Sequence, residues 1–343
     1  RWAGNKEWVY LKNDAGELLV RDQEKADSLN RFFDSISTID NGSLPELPHR
    51  VEPGIKLEEI EFLLLPQTLL KIGSKLKPKY SQDPNGHSSF LLKQIRPATA
   101  DILAIIFSSF MTLGNMSDEW KSAVISPLFK KGSSSNPANY RPVSLTSVFC
   151  KLMERVITEQ MLHYLRINKL ISKHQHGFLK GRCTATNLIE TLNDWTVSFE
   201  NKLGQSAVYI DFAKAFDSVS HPKLIYKLER YGITGCLLRF IADFLTGRTQ
   251  CTRVGNCMSP ILPIMSGVVQ GSCLAPVLFL LFINDLSDLF SGRVSIKMYA
   301  DYIKLYTNLS MSDDPHTEFQ THLNMVAQWA KEWQLPIAHA KCC

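Results

Sequence analysis

Two aspartates set the chemistry this sequence can do. Asp211 ends an apolar run that begins at Gln205, and Asp301 follows Met298, Tyr299 and Ala300 ninety residues later. Nucleotidyl transfer uses two Mg²⁺ ions about 4 Å apart, one activating the attacking hydroxyl and one neutralising the triphosphate and its leaving pyrophosphate. Mg²⁺ takes few protein carboxylates and completes its shell with phosphate and water. The protein must then bring carboxylates from separate strands to one rigid point. Taken singly, each aspartate reads better as a turn or cap residue.

The elements around them have the right periods. Gln205 to Asp211 reads as a β-strand. Val294, Ile296 and Met298 alternate into Ala300-Asp301, and Ile303 and Leu305 alternate out, a hairpin with Asp301 at its tip. Ala123 to Phe129 has strand character, and Pro222 and Gly232 bracket a short helix. Helices are expected with Asp22 as cap and Ala26, Leu29, Phe33 and Ile36 on one face, and as a buried segment over 102–111 stopped by Gly114. Another follows Thr146 with Leu152, Val156 and Met161 inward; a last starts at Asp314-Pro315 with Phe319, Leu323, Val326, Ala330 and Trp333 as core. Residues 41–53, with three prolines, read as a connector, and 81–86 as a loop; Lys71, Lys75, Lys77, Lys79, Lys93 and Arg96 make a basic stretch.

The bulk numbers narrow the class. With 45% hydrophobic and 21% charged residues among 343, this is a globular chain long enough for two or three subdomains. A net charge of +5 only mildly favours a polyanion partner. Eight cysteines with no CxxC pair argue against zinc and against a disulfide framework, and for reduced, mostly buried thiols inside a cell. Residues 1–10 lack a signal peptide's apolar stretch, and the longest apolar run, 274–283, is too short to span a bilayer. The expected place is therefore intracellular, in cytoplasm or nucleus, with no membrane partner. A start without Met and an abrupt end read as a fragment.

Three motifs carry a resemblance. Tyr209-Ile210-Asp211-Phe212-Ala213-Lys214-Ala215-Phe216-Asp217-Ser218-Val219, closed by His221, is followed by Ser266-Gly267-Val268-Val269-Gln270-Gly271-Ser272 with Leu274-Ala275-Pro276 and Ile283-Asn284-Asp285, and then by Tyr299-Ala300-Asp301. In order and spacing these resemble the catalytic motifs of reverse transcriptases of non-LTR, LINE-type retrotransposons. Residues 120–132 and Asn139-Tyr140-Arg141-Pro142-Val143-Ser144-Leu145 resemble the fingers motifs, Gln175-His176-Gly177-Phe178 with Gly181-Arg182 the next block, and 335–342 the block after the third motif. The likeness runs from about residue 71 to the end and is Jockey-like more than retroviral.

The resemblance implies an α+β, right-hand polymerase with an antiparallel palm sheet backed by helices and the thumb absent. Residues 1–70 would be a helical connector upstream of the polymerase, 71–200 fingers and 201–343 palm, with no endonuclease. It implies RNA template, DNA primer and dNTP as partners and two Mg²⁺ ions, with Mn²⁺ an alternative. Asp211, Asp301 and the Phe212 carbonyl would hold metal. Phe216 would exclude a ribose 2′-hydroxyl, where it otherwise reads as a core ring. Lys130 and Arg141 would grip the triphosphate, with Lys131 an equal candidate beside Lys130; a guanidinium offers two hydrogen bonds to phosphate and keeps its charge. Gly267, Gln270 and Gly271 would form the loop under the nascent pair, and Lys341 would be the general acid for pyrophosphate.

The sequence also departs from that family. Tyr302 stands where the family has the second aspartate of Tyr-Ala-Asp-Asp. A phenol, with an ordinary pKa near 10, is a poor ligand for a hard cation at neutral pH. The expected loss in rate is on the order of a thousandfold or more. Tyr80-Ser81-Gln82-Asp83-Pro84-Asn85-Gly86 replaces a Lys-Ser…Gly-Pro-Asp-Gly pattern, and Cys183 a common Ser. Two readings stand: a polymerase, impaired in this copy, or a catalytically dead, palm-like nucleic-acid-binding protein, decayed or recruited. An unrelated α+β enzyme would require the motif order to be chance. Oligomeric state is not legible.

Overall fold

A computed structural model describes residues 10–13, 15–57, 64–290, 292–309 and 315–343. In chain order its elements are α1 (Asp22–Ser35), α2 (Pro66–Ser74), α3 (Ser89–Leu113), α4 (Asp118–Lys121), β1 (Ser122–Phe129), β2 (Tyr140–Leu145), α5 (Val148–Ile167), α6 (Thr184–Glu200) and β3 (Gly204–Asp211). Then come α7 (His221–Arg230), α8 (Gly235–Leu245), β4 (Thr249–Val254), β5 (Cys257–Met258), β6 (Leu262–Pro263), α9 (Ala275–Ile283), β7 (Ser295–Tyr299), β8 (Tyr302–Leu309) and α10 (Pro315–Glu332). The architecture is mixed α+β.

The strands make two sheets. In one, of order β3-β8-β7, both pairings are antiparallel. Its central strand β8 is buried from Ile303 to Thr307, because helices cover both faces, whereas β7 keeps the half-buried alternation of an edge. The other sheet runs β2-β1-β4-β5, with β6 also on β4. There β1 pairs antiparallel with β2 but parallel with β4, Ser122 opposite Thr249. This sheet therefore draws strands from both sides of the boundary expected at residue 200. α1 lies on it: Leu11, Ala26, Leu29 and Phe33 form a small core with Ala123, Ile125, Tyr140 and Val254. Asn30 fixes the seat, donating to the Pro260 carbonyl at 2.9 Å and accepting from Thr252 Oγ1 at 3.0 Å.

The larger core joins α2, α3, α5 and α7–α10 to the β3-β8-β7 sheet. α9 is buried at every position except the half-buried Pro276, as its apolar run requires. Beside it the Lys227 ammonium is wholly buried. It donates to the Phe282 carbonyl at 2.6 Å, pairs with Asp285, and lies 3.5 Å from the Trp333 ring centroid. Asp285 also accepts from Trp329 Nε1 at 2.9 Å, so one ion pair ties α7, α9 and α10 together.

Several expectations need correcting. Arg21, not Asp22, is the N-cap residue of α1; Asp22 stands in the first turn, where a carboxylate favours the helix dipole. The segment 102–111 belongs to a 25-residue helix that is amphipathic instead of buried all round. Leu103, Phe107 and Met111 face the core, while Ile102 and Ile105 are exposed; Gly114, at φ 68°, ends the helix as expected. All eight cysteines are free thiols, but Cys150 alone among them is buried. Ile36 and Leu323 are half-buried edges of their stripes. The expected helix start at Asp314 and the N-terminal residues 1–9 lie outside the described residues. Asp83, in the stretch that departs from the family, caps α5 by accepting from Val148 N at 2.9 Å and closes its own turn onto His87 N.

Candidate active site

Strand register brings the two aspartates together. β3 and β8 pair with Asp211 opposite Tyr302, so the hairpin turn before Tyr302 carries Asp301 to the end of β3. Both carboxylates line one cleft of about 340 Å³. Asp211 is buried, and burial, followed by the charge of Asp211, pushes Asp301 above the usual carboxylate range. The Phe212 position and the Tyr302 ring also line the cleft, and that ring is 59% exposed.

The turn that presents Asp301 is held from beneath. Ala300 has φ 54°, a left-handed conformation that disfavours side chains. Gln175 Oε1, wholly buried, accepts from Ala300 N at 2.9 Å and from Gly177 N at 2.7 Å. His176 N donates to the Met298 carbonyl, and Met298 N to the His174 carbonyl, at 2.9 Å each. Gly177 admits no side chain, since a Cβ there would lie 2.4 Å from Ala300 N. Arg182 Nη1 donates to the Lys173 and Gln175 carbonyls at 2.5 Å each. The block Gln175 to Arg182 thus works as a clamp on the β7–β8 hairpin that presents Asp301, a role that its spacing did not disclose.

The loop after Asp211 and the loop 266–271 are laced to each other. Val268 N donates to the Phe216 carbonyl, Gly267 N to the Val219 carbonyl and Ser266 Oγ to the Asp217 carbonyl. His221 Nε2 donates to the Gly267 carbonyl at 2.8 Å. Gln270 Nε2 donates to Asp217 Oδ1 at 2.6 Å, and desolvation raises the Asp217 carboxyl to about 6. Gln270 and Gly271 line the cleft. Gly271, at φ 117°, presses on β2, where a Cβ would stand 2.5 Å from the Ser144 carbonyl. Gly267 does not line it; it packs beneath the Phe216–Asp217 backbone. Phe216 forms part of the wall, stacked on Phe279 with centroids 4.5 Å apart and edge-on to Phe178.

Four cations face these acids. Lys130, Arg141, Lys214 and Lys341 line the cleft; Lys131 does not. Burial, and then the charges of Lys214 and Arg141, lower the Lys130 ammonium, and burial lowers Lys214. Such crowding favours a multiply charged anion between them. Lys341 Nζ sits 2.7 Å from Asp211 Oδ2, and that hydrogen bond raises its pKa. Sequence reasoning missed Lys214, Asp217 and Phe178 as lining residues; the first two stood inside the first motif, without a spacing of their own.

The donor set fits a hard divalent cation only in part. It offers one buried carboxylate, Asp211, and one half-buried, Asp301, and among the described residues no group of three His, Cys, Asp or Glu side chains is placed to hold a metal ion. The remaining positions fall to phosphate oxygens and water, as Mg²⁺ accepts.

A profile of the reverse transcriptase (RNA-dependent DNA polymerase) family matches residues 129–343. The chain belongs to the reverse transcriptase family. It is a Jockey-like reverse transcriptase domain of the non-LTR kind. It is 33% identical over 247 residues to the RNA-directed DNA polymerase from mobile element jockey of Drosophila melanogaster, covering 70% of this chain and 27% of that protein. It is 28% identical over 318 residues to the probable RNA-directed DNA polymerase from transposon BS of the same species, covering 89% and 33%. The chain thus spans about a third of the length of these relatives. Among solved structures, a telomerase from Candida tropicalis in complex with a TWJ fragment of telomeric RNA aligns with a TM-score of 0.49 at 9% identity, over 67% of this chain and 41% of that one. Among the described residues, no helix of this reverse transcriptase is long and apolar enough to cross a membrane.

Proposed function

We propose that this reverse transcriptase chain carries the nucleotide-adding site of a non-LTR retrotransposon polymerase, joining a dNTP to a DNA primer 3′-hydroxyl on an RNA template. The observation that carries this reading is the meeting of Asp211 and Asp301 in a cleft ringed by Lys130, Arg141, Lys214 and Lys341. In this reading 71–200 are fingers and 201–343 palm, β3-β8-β7 is the palm sheet, and 1–70 lead in from upstream.

Bound Mg²⁺, or Mn²⁺, would supply Lewis acidity at the attacking hydroxyl and the leaving pyrophosphate. Asp211 and Asp301, with the Phe212 carbonyl, would hold it. Lys130 and Lys214 give point charges to the triphosphate, and Arg141 a fork that matches two phosphate oxygens. Lys341 is placed to pass its proton to the departing pyrophosphate; in the free chain its ammonium balances Asp211. Phe216, backed by Phe279, is a stiff wall against a 2′-hydroxyl. Gln270 fixes the floor by holding Asp217.

Tyr302 favours a second reading for this copy, a binding scaffold with impaired or no catalysis. Its exposed ring stands opposite Asp211, where an added carboxylate would complete the donor set. Primer extension with dNTP, Mg²⁺ and an RNA template separates the two. We expect trace extension by the parent, a gain on the order of a thousandfold from Tyr302→Asp, and loss from Asp211→Ala. Extension insensitive to Asp211→Ala would sink the site. Hybrid binding with no extension, even in Tyr302→Asp, would leave the scaffold reading.

A further inference from the structure

α6 turns its polar side to the protein and its apolar side to solvent. Asn187, Thr191 and Ser198 are its buried residues. Asn187 Nδ2 donates to the Met298 carbonyl at 3.2 Å, Lys304 Nζ to Thr191 Oγ1 at 3.2 Å, and Ser198 Oγ to Asn308 Oδ1 at 2.8 Å. The Tyr306 hydroxyl donates to Asp194, and Lys297 pairs with Glu190 at 2.8 Å. The β7–β8 hairpin thus meets α6 through polar partners, and the apolar residues of the helix are left outside. Ala185, Leu188, Ile189, Leu192, Thr196 and Phe199 are all exposed, Ile189 by 65% and Phe199 by 58%. At 3.6 residues per turn they fall within an arc of about 100°. An apolar arc of that width is what a helix ordinarily turns to a core. No charged side chain of α6 falls inside it.

We infer that a second copy of this chain covers the arc, with α6 packed antiparallel on its counterpart about a two-fold axis at Leu192. Ala185, Leu192 and Phe199 stand seven residues apart, the spacing of a seam between paired helices. With Leu192 on the axis it meets its own copy, and Ala185 meets the partner's Phe199, small against large. The seam therefore closes on itself, as an isologous contact must. The same register sets Lys180 and Arg182, just before α6, beside the partner's Glu200, with Lys202 past the end of the seam. Covering the arc would bury roughly 500 Å² per chain, which with a rim approaches the roughly 800 Å² per partner of a standard interface. A nucleic acid would need cations in the arc. A lipid surface favours Lys and Arg beside the apolar face, whereas these flanks carry Glu190 and Glu200. The inference does not depend on the polymerase reading.

The test is sedimentation velocity of the full chain from about one to a hundred micromolar, where an interface of this size should show a reversible dimer. Leu192→Glu sets two carboxylates against each other at the axis and should raise the dissociation constant a hundredfold or more. Val197→Glu, at a position 50% exposed but outside the arc, should change it less than about twofold. Glu200→Lys should weaken the dimer several-fold, and adding Lys180→Glu should recover the loss. Melting curves at low concentration confirm that each variant folds. A monomer at every concentration would overturn the inference, as would a dimer that Leu192→Glu leaves intact. Binding to phosphatidylcholine vesicles without a dimer, lost in Leu192→Glu, would assign the arc to a lipid surface and overturn it too. Failure of the polymerase reading shows elsewhere, as absence of Asp211-dependent extension, whatever the oligomeric state.

Discussion

Replacing Gln175 by Ala removes the acceptor that holds the turn presenting Asp301. Two buried amides, Ala300 N and Gly177 N, lose their partner, and Gly177 is too tightly packed against Ala300 for water to enter without movement. An unpaired buried donor costs about 1–3 kcal/mol, so the pair costs roughly 2–6 kcal/mol, with relaxation favouring the lower half. At about 3 kcal/mol, the Ala300 amide should exchange with solvent on the order of a hundredfold faster under native conditions. Hydrogen exchange followed by mass spectrometry at the 298–302 turn reads this without reference to activity. In a Tyr302→Asp background, extension should fall while hybrid affinity holds, because Asp301 loses its aim rather than its charge. If the turn keeps its protection and unfolding shifts by less than about 0.5 kcal/mol, the clamp is not what holds Asp301, and the argument from Gln175 fails.

Three further outcomes follow from the geometry. Asp217, raised from 3.8 to about 6, binds its proton more tightly folded than unfolded, so the chain should gain stability as pH falls from 6 towards 4; Asp217→Asn should abolish that gain, which is at most about 3 kcal/mol, in denaturant titrations at each pH. Lys227→Met strands Asp285 as an unpaired buried charge and should cost about 3–5 kcal/mol, whereas the double change with Asp285→Leu should cost less than the sum, as measured by urea unfolding. Gly271→Ala meets both a 2.5 Å contact with the Ser144 carbonyl and φ 117°, and should lower the melting temperature by several degrees, while Gly181→Ala, strained in φ but with nothing near its Cβ, should lower it less.

What the sequence disclosed was local. The hairpin at Asp301 was legible because alternation on both sides of a two-residue turn leaves few other structures, and α5 because its apolar stripe keeps the helical period. The convergence of Asp211 with Asp301 needed the motif resemblance to be read at all, since ninety residues separate them and no local pattern specifies the β3–β8 register. The parallel pairing of β1 with β4 was illegible for the same reason: Thr249 to Val254 carries no mark of its partner. α3 misled because a run such as Ile102 to Met111 looks equally apolar whether neighbours cover one face or all faces. Gln175 gave no sign, because a buried amide aimed at a backbone amide has no sequence period. Lys341 was identified by resemblance, but its bond to Asp211 depends on residues 335–342 returning to β3, where Ala338 N meets the Asp211 carbonyl.

The parallel partnership of β1 and β4 has a consequence for how the chain must be made. On a ribosome the β1–β2 ribbon emerges more than a hundred residues before the strand that will shield its open side. Through that interval one edge offers unmatched amides and carbonyls to any neighbouring nascent chain. Proteins cut anywhere from residue 146 to 248 should therefore clump during expression.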